Sequence, residues 1–116
     1  MLNIEGSFPM ASEMMFPKSG GETYSCFALC NSHLSDFDFT ALGSNEFPGV
    51  MPSENGFFIK LGADSLDDFV HLCLPRFEIM SSSFRDILTE AFQAGYRLVE
   101  FDSSAEEVKG LASFSW

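Results

Sequence analysis

The apolar positions of the chain fall into segments of two different periods, and the clearest segment lies in the second half. Phe84, Ile87, Leu88, Ala91 and Phe92 recur at i, i+3, i+4, i+7 and i+8, the stripe of one buried helical face. Ser83 is placed to cap this helix and Gly95 to end it. Upstream, Leu66, Phe69, Val70 and Cys73 repeat the helical spacing behind a capping box of Ser65 and Asp68, and Pro75 ends the run. A third, shorter helix is predicted in SHLSDFDFTALG. Ser35 is its N-cap, Asp38 stands three residues on, Leu34 and Phe39 occupy hydrophobic-staple positions, and Gly43 stops it. The alternation in DFDF also fits a strand.

Three segments read as strands. TYSCFALC, residues 23–30, is apolar or small on both alternating faces, which predicts a central strand covered on both sides. FFIKL (57–61) and YRLVEFD (96–102) are the others. The intervening SNEFPGVMPSENG carries two Pro and two Gly and reads as an exposed loop. Residues 1–22 show no sustained period and read as an arm or loop, whereas the terminal Val108, Leu111, Phe114 and Trp116 are expected to fold back on the domain. The order predicts one α+β domain over residues 23–116, a small three- or four-stranded sheet packed by two or three helices. Parallel pairing is allowed through helical crossovers, and the strand order is left open.

At 116 residues with 14 Phe, the chain has apolar material for a core that needs neither disulfide nor metal. Three cysteines, an odd count, and the opening MLNIEGSF, without a basic stretch before an apolar one, predict reduced thiols and a cytoplasmic protein. No apolar run approaches the roughly 20 residues of a membrane span. Charge changes the picture most: 17 acidic against 6 basic side chains give a net charge of −11. Lys18, Lys60, Arg76, Arg85, Arg97 and Lys109 are scattered singly, so direct nucleic-acid binding is disfavoured and a basic protein surface is the expected partner. The plain alternative is that acidity keeps a Phe-rich chain soluble.

Candidate chemistry is sparse. Cys26, Cys30 and His33 cluster in sequence, but on a strand the two thiols stand about 13 Å apart at ~3.3 Å per residue. Zinc ligands each lie within ~2.3 Å of one ion. Inert core cysteines are the simpler reading. Nucleophilic chemistry would need one of the thiols beside His33 or His71, with His33 and Cys26 or Cys30 the pairing singled out, and the acidic field opposes a reactive thiolate. Asp36 with Asp38, and Asp67 with Asp68, sit at helix starts where carboxylates meet unpaired amides. The glycines fit no phosphate-binding spacing. No catalytic, metal or cofactor site is predicted, and the protein reads as non-enzymatic.

What remains is the placement of the acids. Asp36, Asp38, Glu46, Glu54, Asp64, Asp67 and Asp68 occupy one third of the chain, in which Lys60 is the lone cation. If both short helices begin on one side of the sheet, these residues form a single acidic face that steers a basic partner. Glu100, Asp102, Glu106 and Glu107 form a second group.

From residue 23 onward the chain resembles a family of uncharacterised small proteins carried on bacterial plasmids, integrative elements and phages. The resemblance rests on NSHLSDFDF and AGYRLVEFDSSAEEVKGLASFSW, at His33, Leu34, Phe101, Asp102, Gly110, Leu111 and Trp116. It implies no reaction. It implies a mobile-element setting, in which an acidic protein is expected to inhibit a bacterial defence complex of the CRISPR or restriction type by occupying its basic nucleic-acid groove. Eleven charges match only about 19 Å of duplex at one charge per ~1.7 Å, enough for one recognition site. An antitoxin or immunity protein against a basic toxin is the alternative. A homo-oligomeric accessory protein is another, since Phe47, Met51, Phe57, Phe58 and Trp116 exceed the needs of a small core.

Overall fold

Alternation along four strands sets the architecture of the computed structural model, which describes residues 20–44 and 47–116. The elements are β1 (Cys26–Leu29), a 3₁₀ turn (Asn31–His33), α1 (Asp36–Ser44), β2 (Val50–Ser53), β3 (Gly56–Lys60), α2 (Leu66–Asp68), α3 (Ser82–Gln93) and β4 (Leu98–Asp102). α2 continues through a π turn at Phe69–Cys73 and a 3₁₀ turn at Leu74–Phe77. The strands form one mixed sheet in the order β1-β4-β3-β2, with β1 parallel to β4 and the other pairs antiparallel. Sheet and helices make an α+β domain.

Leu29, Phe57, Ile59, Val99 and Phe101 turn to one face of the sheet and join a single core cluster with Ala41 and Leu42 of α1, Phe69, Cys73 and Phe77, and the whole α3 stripe. Phenylalanine rings carry much of the contact: Phe84 lies 5.4 Å from Phe77 and 5.8 Å from Phe101, and Phe69 stacks on Phe92 at 4.7 Å. The opposite face, where Ala28, Glu100, Phe58 and Met51 form one row across the register, is open or half-buried.

The α3 stripe is buried throughout, and a Schellman closure, with Tyr96 N–H on the Ala91 carbonyl and Gly95 N–H on that of Phe92, ends the helix. Its cap is Ser81 rather than Ser83: the Ser81 hydroxyl accepts from Phe84 N–H at 3.2 Å. Ser35 and Ser65 cap as expected, accepting from Asp38 and Asp68 N–H at 3.1 Å each.

Four expectations are corrected. β1 is an edge strand, not a central one, and only Leu29 of its residues is fully buried. The Pro-Gly loop contains a strand, β2, whose Pro52 is tolerated because β2 is the other edge. Pro75 does not end the second helix. The ladder shifts to a π turn before it, with Leu74 N–H on the Phe69 carbonyl, and to a 3₁₀ turn through it. That shift keeps Phe69 and Cys73 inward and leaves Leu66 and Val70 about half exposed. Finally, Phe57 is core and Phe47 packs on Phe77 at 5.3 Å, so neither is surplus surface.

Candidate functional site

The connections out of the sheet decide where the acids stand. β1 and β3 run in opposite directions, since β1 is parallel and β3 antiparallel to β4. The chain therefore leaves β1 toward Asp36 at one end of the sheet and leaves β3 toward Asp64, Asp67 and Asp68 at the other. The condition for one acidic face over all seven predicted residues is not met.

Of those seven, Asp36, Glu54, Asp64 and Asp67 are exposed and Asp68 is half-buried; Glu46 lies outside the described residues. Asp38 is 1% exposed, so it is no part of a surface. It occupies the inner stripe of α1 with Ala41 and Leu42, and its carboxyl accepts the Ser81 N–H at 3.0 Å and the Ser81 hydroxyl. A buried acceptor satisfied in this way couples α1 to the first turn of α3.

The end of the sheet marked by Leu29 and Asp102 gathers acids from three separate segments. Gly56 pairs with Asp102, and the Asn55 carbonyl beside Glu54 accepts from Ser103 N–H at 3.1 Å and from the Asn31 side chain at 3.5 Å. The Glu106 carbonyl accepts from Cys30 N–H at 3.0 Å. Glu54, Asp102, Glu106 and Glu107 thus share one end, with Asp36 following from the same exit of β1, and Glu100 extends the group onto the open face. Burial, then the charge of Asp102, pushes the Glu100 carboxyl above the usual carboxylate range.

Two of the arginines are engaged by backbone carbonyls and ring faces instead of carboxylates. Arg76 donates to the Pro48 carbonyl at 2.6 Å and to the Lys60 carbonyl at 2.9 Å, and Arg97 donates to the Tyr96 carbonyl at 2.9 Å while lying 4.1 Å over the Phe92 ring. Lys60 and Arg97 line a shallow polar pocket of about 240 Å³ at the opposite end, together with Asp64. Among the described residues no Lys or Arg forms an ion pair with a carboxylate; the one pair involves His71 and Asp67 at 3.4 Å.

The acidic end is built on a clasp between residues 30–34 and the tail. His33 is 1% exposed. Its Nδ1 donates to the Ala112 carbonyl at 2.7 Å, which makes Nε2 the acceptor of Val108 N–H at 2.8 Å. Ser32 donates through its hydroxyl to Glu107 at 2.7 Å and accepts Phe114 N–H at 2.8 Å, and the Trp116 indole donates to the Leu34 carbonyl at 3.0 Å. Gly110, at φ +92°, supplies the left-handed turn between the two His33 contacts. Hydroxyls of Ser32 and Ser113 hold the Glu107 carboxyl below the usual range. Trp116 stays 58% exposed while its ring meets that of Phe39 in a tilted contact at 5.0 Å.

Both His33 nitrogens are thereby engaged by backbone, and neither faces a thiol. Cys26 is exposed on its strand, with its thiol pKa raised by burial and then by Glu100; the Cys30 sulfur accepts Ser32 N–H at 3.5 Å; Cys73 is buried, and burial raises its pKa against the opposing pull of Arg76. Among the described residues no group of three His, Cys, Asp or Glu side chains is placed to hold a metal ion, and no helix is long and apolar enough to cross a membrane.

Sequence reading missed the serines that hold Glu107. It also missed an apolar groove of about 320 Å³ between β1, α3 and the tail, walled by Phe27, Ile87, Tyr96 and Leu111 with Glu90 and Lys109 at its mouth. The spacing of Ser32 and Ser113 about the clasp residues carries no local signal, since the two meet only when the tail folds back. No curated protein and no solved structure matches the chain. The clasp, the sheet and the acidic end all lie within residues 26–116, which match the C-terminal domain of a family of unknown function (DUF5983), and the chain belongs to that family.

Proposed function

We propose that this protein is a non-enzymatic binding protein that sets its acidic end against a basic protein surface, acting as a mobile-element-encoded inhibitor of a bacterial defence complex of the CRISPR or restriction type. The observation that carries the reading is the convergence of Glu54, Asp102, Glu106 and Glu107 at one end of the sheet, with no Lys or Arg paired to a carboxylate among the described residues. Unneutralised carboxylates on a tied-down scaffold attract a cationic groove at long range and lose that attraction in salt. The clasp fixes the tail acids, so little ordering entropy opposes binding.

The test is a low-salt pull-down with purified effectors of the host's defence systems, comparing the native chain with one carrying Glu54→Gln, Asp102→Asn and Glu106→Gln. Glu107 is left intact because the tail depends on it. Salt-sensitive capture of a nucleic-acid-handling effector, lost in the triple variant, supports the reading. No capture across the panel, or equal capture by both chains, sinks it, and capture of a basic toxin instead makes the protein an antitoxin.

A further inference from the structure

We infer that the outer edge of β1 is a self-association surface, on which a second copy of this chain pairs its own β1 in antiparallel sense to give a two-fold dimer with a continuous eight-stranded sheet. The inference is independent of the acidic end and begins with the hydrogen-bonding parity of β1. Leu98 N–H donates to the Ser25 carbonyl at 3.2 Å, so residues 25, 27 and 29 address β4. Cys26, Ala28 and Cys30 then point the other way, and Cys30 N–H does so, toward Glu106. At Cys26 and Ala28 the outward backbone groups have no partner among the described residues, and both residues are exposed. An unpaired edge of this kind is a template for another strand.

Two-fold symmetry fits the register. Centring the axis on Phe27 sets Cys26 against Ala28 of the second copy, and the reverse, so each outward N–H and C=O is satisfied in a reciprocal pair. Phe27 meets its own symmetry mate as a non-hydrogen-bonded pair, on the face that carries the apolar groove. The groove would become interior, which accounts for an open apolar surface beside an acidic protein's free edge.

The charges at the mouth are self-complementary. Glu90 and Lys109 line the same groove, yet neither is paired with any described residue. Lys109 follows the tail residues held at Cys30 and His33, toward one end of β1. Glu90 lies in the half of α3 that leads back to Leu98, opposite Cys26 at the other end. Antiparallel pairing exchanges these ends and brings Glu90 of each copy to Lys109 of the other.

The experiment is sedimentation-equilibrium mass measurement, by analytical ultracentrifugation, on the full chain across a concentration series at physiological salt. A concentration-dependent species of twice 12.9 kDa is expected. Glu90→Lys and Lys109→Glu should each weaken it by about tenfold, because each places two like-charge contacts across the axis, and the double swap should restore it. In a Cys26→Ser background, Phe27→Cys should form an intermolecular disulfide, since a non-hydrogen-bonded antiparallel pair has a Cα separation of about 4.5 Å, within disulfide range. A monomer at every concentration, or a dimer indifferent to both single charge changes, overturns the inference. The charge variants are surface changes and report even if the Phe27 variant fails to fold.

Discussion

Asp38 on the first turn of α1 receives both the backbone N–H, at 3.0 Å, and the hydroxyl of Ser81, the cap of α3. One buried carboxyl of α1 thus holds the capping residue of α3, and the acid that sequence position assigned to a surface is the one that ties the two helices together.

Replacing Asp38 by Ala is expected to cost about 2–3 kcal/mol, because the half-buried Ser81 donors lose their acceptor and the 1% exposed Asp38 site is left without its polar partner. Asp36→Asn, on the exposed side of the same turn, should stay within about 0.5 kcal/mol. Urea unfolding of the two variants gives the comparison, and equal losses would show that burial of Asp38 is not what matters.

His33→Ala removes the acceptor of Val108 N–H and the donor to Ala112 together. Hydrogen exchange at Val108 and Phe114 should accelerate by an order of magnitude or more, with the amides of β3 and β4 much less affected, since the tail can open without the sheet. Trp116 fluorescence should shift as its contact with Phe39 is lost. Uniform acceleration across the whole domain would mean the clasp is not a separate unit.

Two carboxyls give opposite pH signatures. Glu107 is depressed in the fold, so its stabilisation is present above the ordinary carboxylate pKa and disappears as pH falls through its lowered value. Glu100 is raised, so its ionised form carries a penalty above the raised value that is relieved as pH falls below the ordinary one. Glu107→Gln should therefore flatten the loss of tail protection in acid, and Glu100→Gln should raise stability at neutral pH. Urea midpoints across the acid range, set against the native chain, read both signs.

Gly56 is required by packing. A Cβ there would stand 1.7 Å from the Phe101 carbonyl oxygen, a backbone atom of the neighbouring strand. Gly56→Ala should cost about 3 kcal/mol or more, or prevent folding. Gly62, at φ +67° with open space around its Cβ position, should lose only about 1 kcal/mol on the same change. Thermal unfolding of the pair decides it.

Thiol reactivity follows burial and field. Cys26 is the exposed cysteine, but burial of its sulfur and the charge of Glu100 raise its pKa, so Glu100→Gln should speed its alkylation at neutral pH. Cys73 should react only on unfolding. An unchanged Cys26 rate in the Glu100 variant would remove the electrostatic part of this account.

Periodicity and capping determined much of this protein without help from the fold. The α3 stripe, the caps at Ser35 and Ser65 and the strand over Leu98–Asp102 depend on contacts a few residues apart, and those are written locally. The return of the tail onto the domain was also legible, because Val108, Leu111 and Phe114 gain half-burial there, although Trp116 keeps most of its ring exposed. What tertiary structure decided depends on which strand neighbours which. Small or apolar residues on both faces of residues 23–30, Cys26 and Ala28 as well as Phe27 and Leu29, gave β1 the look of a central strand, but it pairs on one side only. The opposed directions of β1 and β3 sent Asp36 and Asp67 to different ends. Asp38 and Ser81, like His33 and Ala112, meet across stretches of chain that carry no mutual signal. A capping carboxylate and a surface carboxylate share one local pattern, and only the packing of a second helix distinguishes the buried Asp38 from the exposed Asp36.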